Sequence, residues 1–286
     1  MNWFFYAMIA SGLCTIASLA QKKALDHENA IQVGSVSSIA IALTSLAFLP
    51  FVNFDMPLHV WILITVSGVV VGMAFYLWIK AFKCMNVSVA SPLFNLGTIA
   101  AVILAVIFLN EKLTVNQLAG IVLLILGTYI LELKHRNFFG PFKEIFKSEK
   151  VHIALFSSLG YSVVNVFNKY ILDFTDPTTL MVLQMCIAAI TVTTLTFIRH
   201  KGLKDLKKGI SQHRMLILVI AISNVLLELS ANKAFQLGEA SIVLPVIRTW
   251  TLFVVILGGT YLKEGHLRNR IIATTLMLIG IMVVYI

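Results

Sequence analysis

Charge is what this chain has least of. Only 12% of its 286 residues are Asp, Glu, Lys or Arg, against about a quarter in ordinary soluble domains, which excludes a water-facing globule of this size. Acidic residues are scarcer than basic ones, 13 against 22, for a net charge of +9. The three cysteines, Cys14, Cys84 and Cys186, are odd in number and widely spaced, so they imply no disulfide framework and read as small packing residues. There is no phosphate-binding glycine loop, no HExxH, no CxxC and no GxSxG elbow. The seven histidines fall in loops or at the ends of apolar runs, which leaves a metal centre little to build on. No catalytic residue, metal ligand or cofactor is expected, and the chain does not read as an enzyme. Without a nucleotide-binding motif, any transport would draw on an ion gradient, on exchange or on downhill flux. The first apolar run lacks a basic leader and a small-residue cleavage site, so it is expected to stay attached.

What is abundant is apolar surface. Hydrophobic residues make up 59% of the chain and the mean hydropathy is +0.91. They gather into runs of roughly 20 residues, the length a helix needs to cross about 30 Å of hydrocarbon. Ten spans are predicted, at 2–21, 31–52, 58–80, 87–109, 114–133, 151–171, 178–198, 214–236, 240–262 and 267–286. The fold class expected is therefore an all-α membrane protein with ten transmembrane helices as two inverted five-helix repeats, because an odd number of spans makes the second half start from the opposite side. The halves are 1–136 and 151–286, joined by a basic connector at 137–150 that contains Gly140-Pro141.

Basic residues cluster after the first span, at Lys22-Lys23, and in 134–150 and 199–214, all on one side; the turns 50–57 and 173–177 carry acidic residues and no Lys or Arg. The positive-inside rule then puts both termini of this multi-pass cell-membrane protein outside the cytoplasm. The basic excess is a topology signal with some anionic-lipid contact, and no nucleic-acid partner is expected.

Residues 80–112 repeat in register as 233–265. Lys80-Ala81-Phe82 meets Lys233-Ala234-Phe235, Ser88 meets Ser241, Pro92 meets Pro245, Leu109 meets Leu262 and Glu111 meets Glu264; further on, Gly127 meets Gly280. With Ser88-Val89-Ala90-Ser91-Pro92, Leu109-Asn110-Glu111-Lys112-Leu113-Thr114 and Gly120 to Gly127, this unit resembles the repeat of the EamA family in the drug/metabolite transporter superfamily. The resemblance covers nearly the whole chain. It implies a multi-pass carrier of small metabolites, often an exporter, with a central cavity lined by both repeats. Members usually place both termini in the cytoplasm, opposite to the charge bias of this chain.

The polar residues inside the spans are the candidate site. Arg248 lies about eight residues into the ninth span, roughly 12 Å along the axis, where a lipid-facing charge costs about 2.5–3.5 kcal/mol. It must face the interior, a partner or water, and a guanidinium there can hold a carboxylate or phosphate. Its repeat mate is Asn95. Glu228 is near mid-membrane in the eighth span and matches the apolar Phe75; it would couple protons, receive an amine or form a structural ion pair with Arg248. Asn224 shares its helical face, and Trp250 offers a cavity wall, a cation–π partner or ordinary packing. Pro92 and Pro245 would free the carbonyls of Ser88 and Ser241 and make a hinge or ligand-facing notch; alternatively each helix starts one residue before its proline.

Asn165, Asn168 and Lys169 suit interhelical hydrogen bonds, and Lys80 and Lys233 can snorkel from span ends. Gly68 to Gly72 is a close-packing GxxxG. Thr114 to Gln117 is a capping box, and Glu111 and Glu264 are expected in tight turns, supporting helix starts or hairpins. The function expected is secondary transport, with export as its direction, of a small polar anionic or zwitterionic metabolite such as an amino acid, by alternating access. Partners would be the substrate, the bilayer and protons or an exchange ion. Cationic drug efflux, a non-transporting membrane scaffold and an intramembrane lipid-modifying enzyme remain alternatives.

Overall fold

The structure is a computed structural model in which residues 2–27, 29–84, 87–132, 149–199, 214–251, 253–254 and 267–285 are described. Glu264, Leu262 and most of the predicted connector lie outside these residues. Among the described residues there is no strand, and the helices in chain order are α1 Trp3–His27, α2 Ala30–Ser45, α3 Leu58–Cys84, α4 Val87–Phe108, α5 Val115–Glu132, α6 Glu149–Ile171, α7 Pro177–Arg199, α8 Arg214–Leu237, α9 Ala240–Ile247 and α10 Leu267–Tyr285. A 3₁₀ turn, Leu46–Phe51, extends α2. Six of these segments are long and apolar enough to cross a bilayer: Trp3–Leu25, Ala30–Phe51, Leu58–Ala81, Val151–Ile171, Pro177–Ile198 and Arg214–Leu237. Large apolar side chains such as Leu58, Phe108, Val115, Ile198 and Met215 point outward, and a protein in water would not expose apolar surface on this scale. The chain is a multi-pass membrane protein.

Local chemistry sets the helix starts. Thr114 and Gln117 exchange bonds as a capping box, Thr114 N–H donating to Gln117 Oε1 at 2.9 Å and Gln117 N–H to Thr114 Oγ1 at 3.2 Å. Asp176 Oδ1 receives the N–H groups of Thr178 and Thr179, both at 2.9 Å, just ahead of the helix that Pro177 opens.

The neighbours of each helix repeat. α1 runs along α8 as α6 runs along α3; α4 lies on α6 as α9 lies on α1; α2 meets α8 as α7 meets α3; α2 pairs with α7, and α5 with α10. Exchanging α1–α5 with α6–α10 returns the same neighbours. The hydrogen bonds follow suit. Ser162 Oγ donates to Gly97 O at 2.6 Å and Ser158 O at 2.8 Å, while Thr15 Oγ1 donates to Trp250 O at 3.3 Å and Ser11 O at 2.9 Å. Gly97 and Trp250 are repeat mates, and Ser11, Cys14, Thr15 and Lys22 align with Ser158, Tyr161, Ser162 and Lys169 at constant spacing.

Glycine lets the backbones close at two interfaces. A Cβ on Gly120 of α5 would lie 2.7 Å from Val284 N and 2.8 Å from Gly280 O of α10. On α3, the GxxxG glycines Gly68 and Gly72 sit against Ile187 and Thr191 of α7.

Both prolines lie well inside their helices, not in the first turn. α4 starts at Val87 and α9 at Ala240, which excludes a helix beginning one residue before its proline. The two then diverge. α4 continues through Pro92 to Phe108, whereas α9 stops at Ile247, turns at Arg248 and Thr249, and regains helical geometry at Trp250. The span predicted over 240–262 is therefore interrupted, and among the described residues only one of the two prolines is followed by a break. Around it the chain tightens to shorter bonds, Thr249 N–H to Val246 O at 3.1 Å and Thr251 N–H to Arg248 O at 3.2 Å. Thr249 Oγ1 adds a bond to Val246 O at 2.7 Å and Thr251 Oγ1 one to Arg248 O at 3.1 Å. α4 carries Leu96 in place of Thr249, so it lacks the first of these hydroxyls.

Candidate functional site

Arg248 sits at the break itself, capping α9. The break is tied to α1 by Ser11 Oγ and Thr249 Oγ1, 3.0 Å apart, and by the bond from Thr15 to Trp250 O. Across from it, α8 carries Glu228. The charges of Glu228 and Arg248 both act on Cys14 of α1 and on Tyr161 of α6, so four helices converge on one polar centre. α3 closes the wall with Trp78, whose ring meets Tyr161 edge-on at 6.1 Å and Trp250 at 6.3 Å and 56°. Trp78 and Trp250 are buried. Two opposite charges beside an aromatic wall can orient a ligand that carries both a charged and a flat apolar part.

The expected residues fare differently. Glu228, Arg248 and Trp250 come together. Glu228 and Arg248 bear on the same two side chains, Cys14 and Tyr161, and Arg248 is engaged in an interaction of its own. Asn224 donates from Nδ2 to Ile220 O of its own helix at 2.7 Å, which commits part of its amide. Asn95 lies in α4 with Ser88 and Pro92, and the side chains of all three lie outside what is described. Ser241 Oγ is buried at the start of α9 with no hydrogen-bond partner among the described residues, as are both polar atoms of Asn232, one turn beyond Glu228.

Sequence reasoning missed Trp78, Tyr161 and Cys14. Their signal was available: Cys14 and Tyr161 are repeat mates, but the first helices of the two halves follow a different register from residues 80–112 and 233–265.

Of the other polar residues, Asn168 and Gln184 bond to each other through both amides, Nδ2 to Oε1 at 3.2 Å and Nε2 to Oδ1 at 2.8 Å, and Gln184 also donates to Ser67 Oγ at 3.0 Å. This buried triad joins α6, α7 and α3 and is structural. Lys233 donates to Gln236 at 2.6 Å.

A second charged cluster lies at the α8–α9 turn. The N–H groups of Ala240 and Ser241 donate to the two carboxylate oxygens of Glu111 at 2.7 and 2.8 Å. Asn110 adopts the left-handed conformation with φ 52, which asparagine tolerates, immediately before Glu111 in the turn between α4 and α5. Glu111 thus supports a helix start, that of the other repeat. Lys169 of α6 donates to Phe235 O at 2.7 Å and Gly238 O at 2.9 Å, and Trp3 of α1 packs so closely on Gly238 that a Cβ there would sit 2.8 Å from Trp3 Cγ. Burial, with the negative charge of Glu111, pushes the Glu239 carboxyl above its ordinary range, and Lys169 partly offsets this.

The helices pack as two equivalent sets around an internal polar centre, and the family match makes the class a membrane transporter. The EamA-like transporter family matches residues 1–133 and again 150–286, and the chain belongs to that family. A curated relative from Sinorhizobium sp., "Uncharacterized transporter in cobO 3'region", is 20% identical over 135 residues, 46% of this chain and 96% of the relative. A solved structure titled only "Crystal structure of protein" superposes with a TM-score of 0.75 at 13% identity, covering 99% of this chain and 98% of the other; at that identity the likeness speaks for the fold alone.

Proposed function

We propose that the protein is a secondary transporter that exports a small polar organic metabolite, anionic or zwitterionic, by alternating access between two inverted repeats of 1–136 and 151–286. The observation that carries this reading is the convergence of two opposite charges, Glu228 and Arg248, on Cys14 and Tyr161 beside the wall formed by Trp78 and Trp250. Arg248 takes the acidic group of the substrate. Glu228 meets an amine or carries a proton, Asn95 and Asn224 complete the polar lining, and Trp78, Tyr161 and Trp250 bound the apolar part. The inverted arrangement is supported by the meeting of the start of α1 with the end of α6 around the α8–α9 turn. The loop charges favour a cell-membrane protein with both termini outside the cytoplasm.

The test compares metabolites in cells and medium for wild type, Arg248→Ala and Glu228→Gln at equal membrane abundance. An acidic or zwitterionic metabolite should move with wild type alone. Unchanged transport in both variants would refute the site. A second reading, efflux of organic cations, is favoured by the Glu228 charge acting on Tyr161, which packs in one aromatic wall with Trp78 and Trp250; under it, Glu228→Gln sensitises cells to cationic toxicants while Arg248→Ala does not.

A further inference from the structure

α9 is a short lever. Its eight residues span about 12 Å, and each end carries a distinctive device. At the inner end is the break at Arg248 and Thr249. At the outer end, the first two free N–H groups are held by Glu111, from the other repeat. The residue at the natural capping position, Glu239, makes no side-chain bond to its own helix, although a carboxylate there would ordinarily supply one. The arm before the turn is clamped too, by Lys169 on the last carbonyls of α8. A hairpin capped by its own residues keeps those bonds wherever it moves; one capped from α6 and from the α4–α5 turn must break them to move.

We infer that Glu111 and Lys169 form a latch on the α8–α9 turn, and that its release, with α9 pivoting at Arg248 and Thr249, opens the cavity on the face that carries the N-terminus. Glu228 and Arg248 lie on the two arms of this hairpin, so opening the latch also shifts the two charges relative to each other. The latch rests on the transport reading for its purpose. Its geometry stands independently.

Ser241 is the natural reporter: it is fully buried beside Glu111 and its hydroxyl has no described partner, so Ser241→Cys exchanges oxygen for sulfur without removing a side-chain bond seen here. The full-length protein in lipid nanodiscs is treated with a membrane-impermeant maleimide, and modification is followed peptide by peptide by mass spectrometry. A parallel Ala154→Cys probe, equally buried but near the far end of α6, reports general loosening. Weakening a charge-assisted pair should raise the population of the open state about ten-fold or more. The Ser241→Cys thiol should therefore react about ten-fold faster when combined with Glu111→Gln or Lys169→Met, while the Ala154→Cys thiol keeps its rate. Equal rates with and without the latch residues would overturn the proposal, as would a parallel rise at both probes. Neither readout needs a substrate: faster labelling confined to Ser241→Cys, in a protein that moves no metabolite, would uphold the latch and refute the transport reading.

Discussion

Replacing Gly120 by alanine tests the close contact between α5 and α10. The added Cβ would stand 2.7 Å from Val284 N, 2.8 Å from Gly280 O and 2.6 Å from Val284 Cγ2. Unstrained carbon contacts need about 3.5–4.0 Å, so α5 and α10 must separate by several tenths of an ångström or more, and two of the three obstructing atoms are backbone that cannot rotate away. Overpacking of this kind costs about 1–3 kcal/mol, set against a gain in helix propensity of about 1 kcal/mol on replacing glycine by alanine. The net expectation is a loss of up to about 2 kcal/mol, or a melting point lower by up to several degrees. Gly12 of α1 is the control, since nothing lies within 4 Å of its added Cβ; Gly12→Ala should leave the melting point unchanged or raise it. Both are read by thermal unfolding of the purified protein in one detergent, monitored by tryptophan fluorescence. If Gly120→Ala melts with Gly12→Ala or above it, the α5–α10 contact is not as close as its backbone geometry requires.

Gln184→Leu should destabilise by about 1–3 kcal/mol in the same melt, because it leaves the Asn168 amide buried without its partner. Glu239→Gln should stabilise at neutral pH and make little difference near pH 4. The folded carboxyl binds its proton more tightly than the ordinary value of 4.5, so wild type loses stability as pH rises from there through the raised value, and the amide removes that slope; a wild-type and variant difference constant from pH 4 to 7 would contradict it. Asn224→Ala should reduce saturable flux less than Arg248→Ala or Glu228→Gln, since part of its amide serves Ile220 O; a vesicle assay at equal abundance ranks the three.

The duplicated helices and the internal placement of Arg248 were legible because repeat register and the cost of a buried charge are both one-dimensional signals. The aromatic wall was not. Trp78 and Tyr161 sit in runs where large apolar residues are ordinary, and only their positions across α3 and α6 distinguish them from core. Glu111 was read in its own turn, but the helix start it holds lies 129 residues further along the chain, a distance no local pattern spans. Pro92 and Pro245 look equivalent in sequence; the later break depends on the setting of hydroxyls and interhelical ties around Arg248.

The repeat mates at the polar centre also show a division of labour. Arg248 faces Asn95 in the alignment, Glu228 faces Phe75, Trp250 faces Gly97, Trp78 faces Ala231 and Tyr161 faces Cys14. Each bulky or charged member has a smaller or uncharged counterpart, and both full charges come from the second half. A scaffold built from two equivalent sets of helices is thereby made unequal at its centre: there α8 and α9 supply the charges that the matching positions of α3 and α4 lack. The two halves share a fold and differ in chemistry, and the five unequal pairs are where that difference is concentrated.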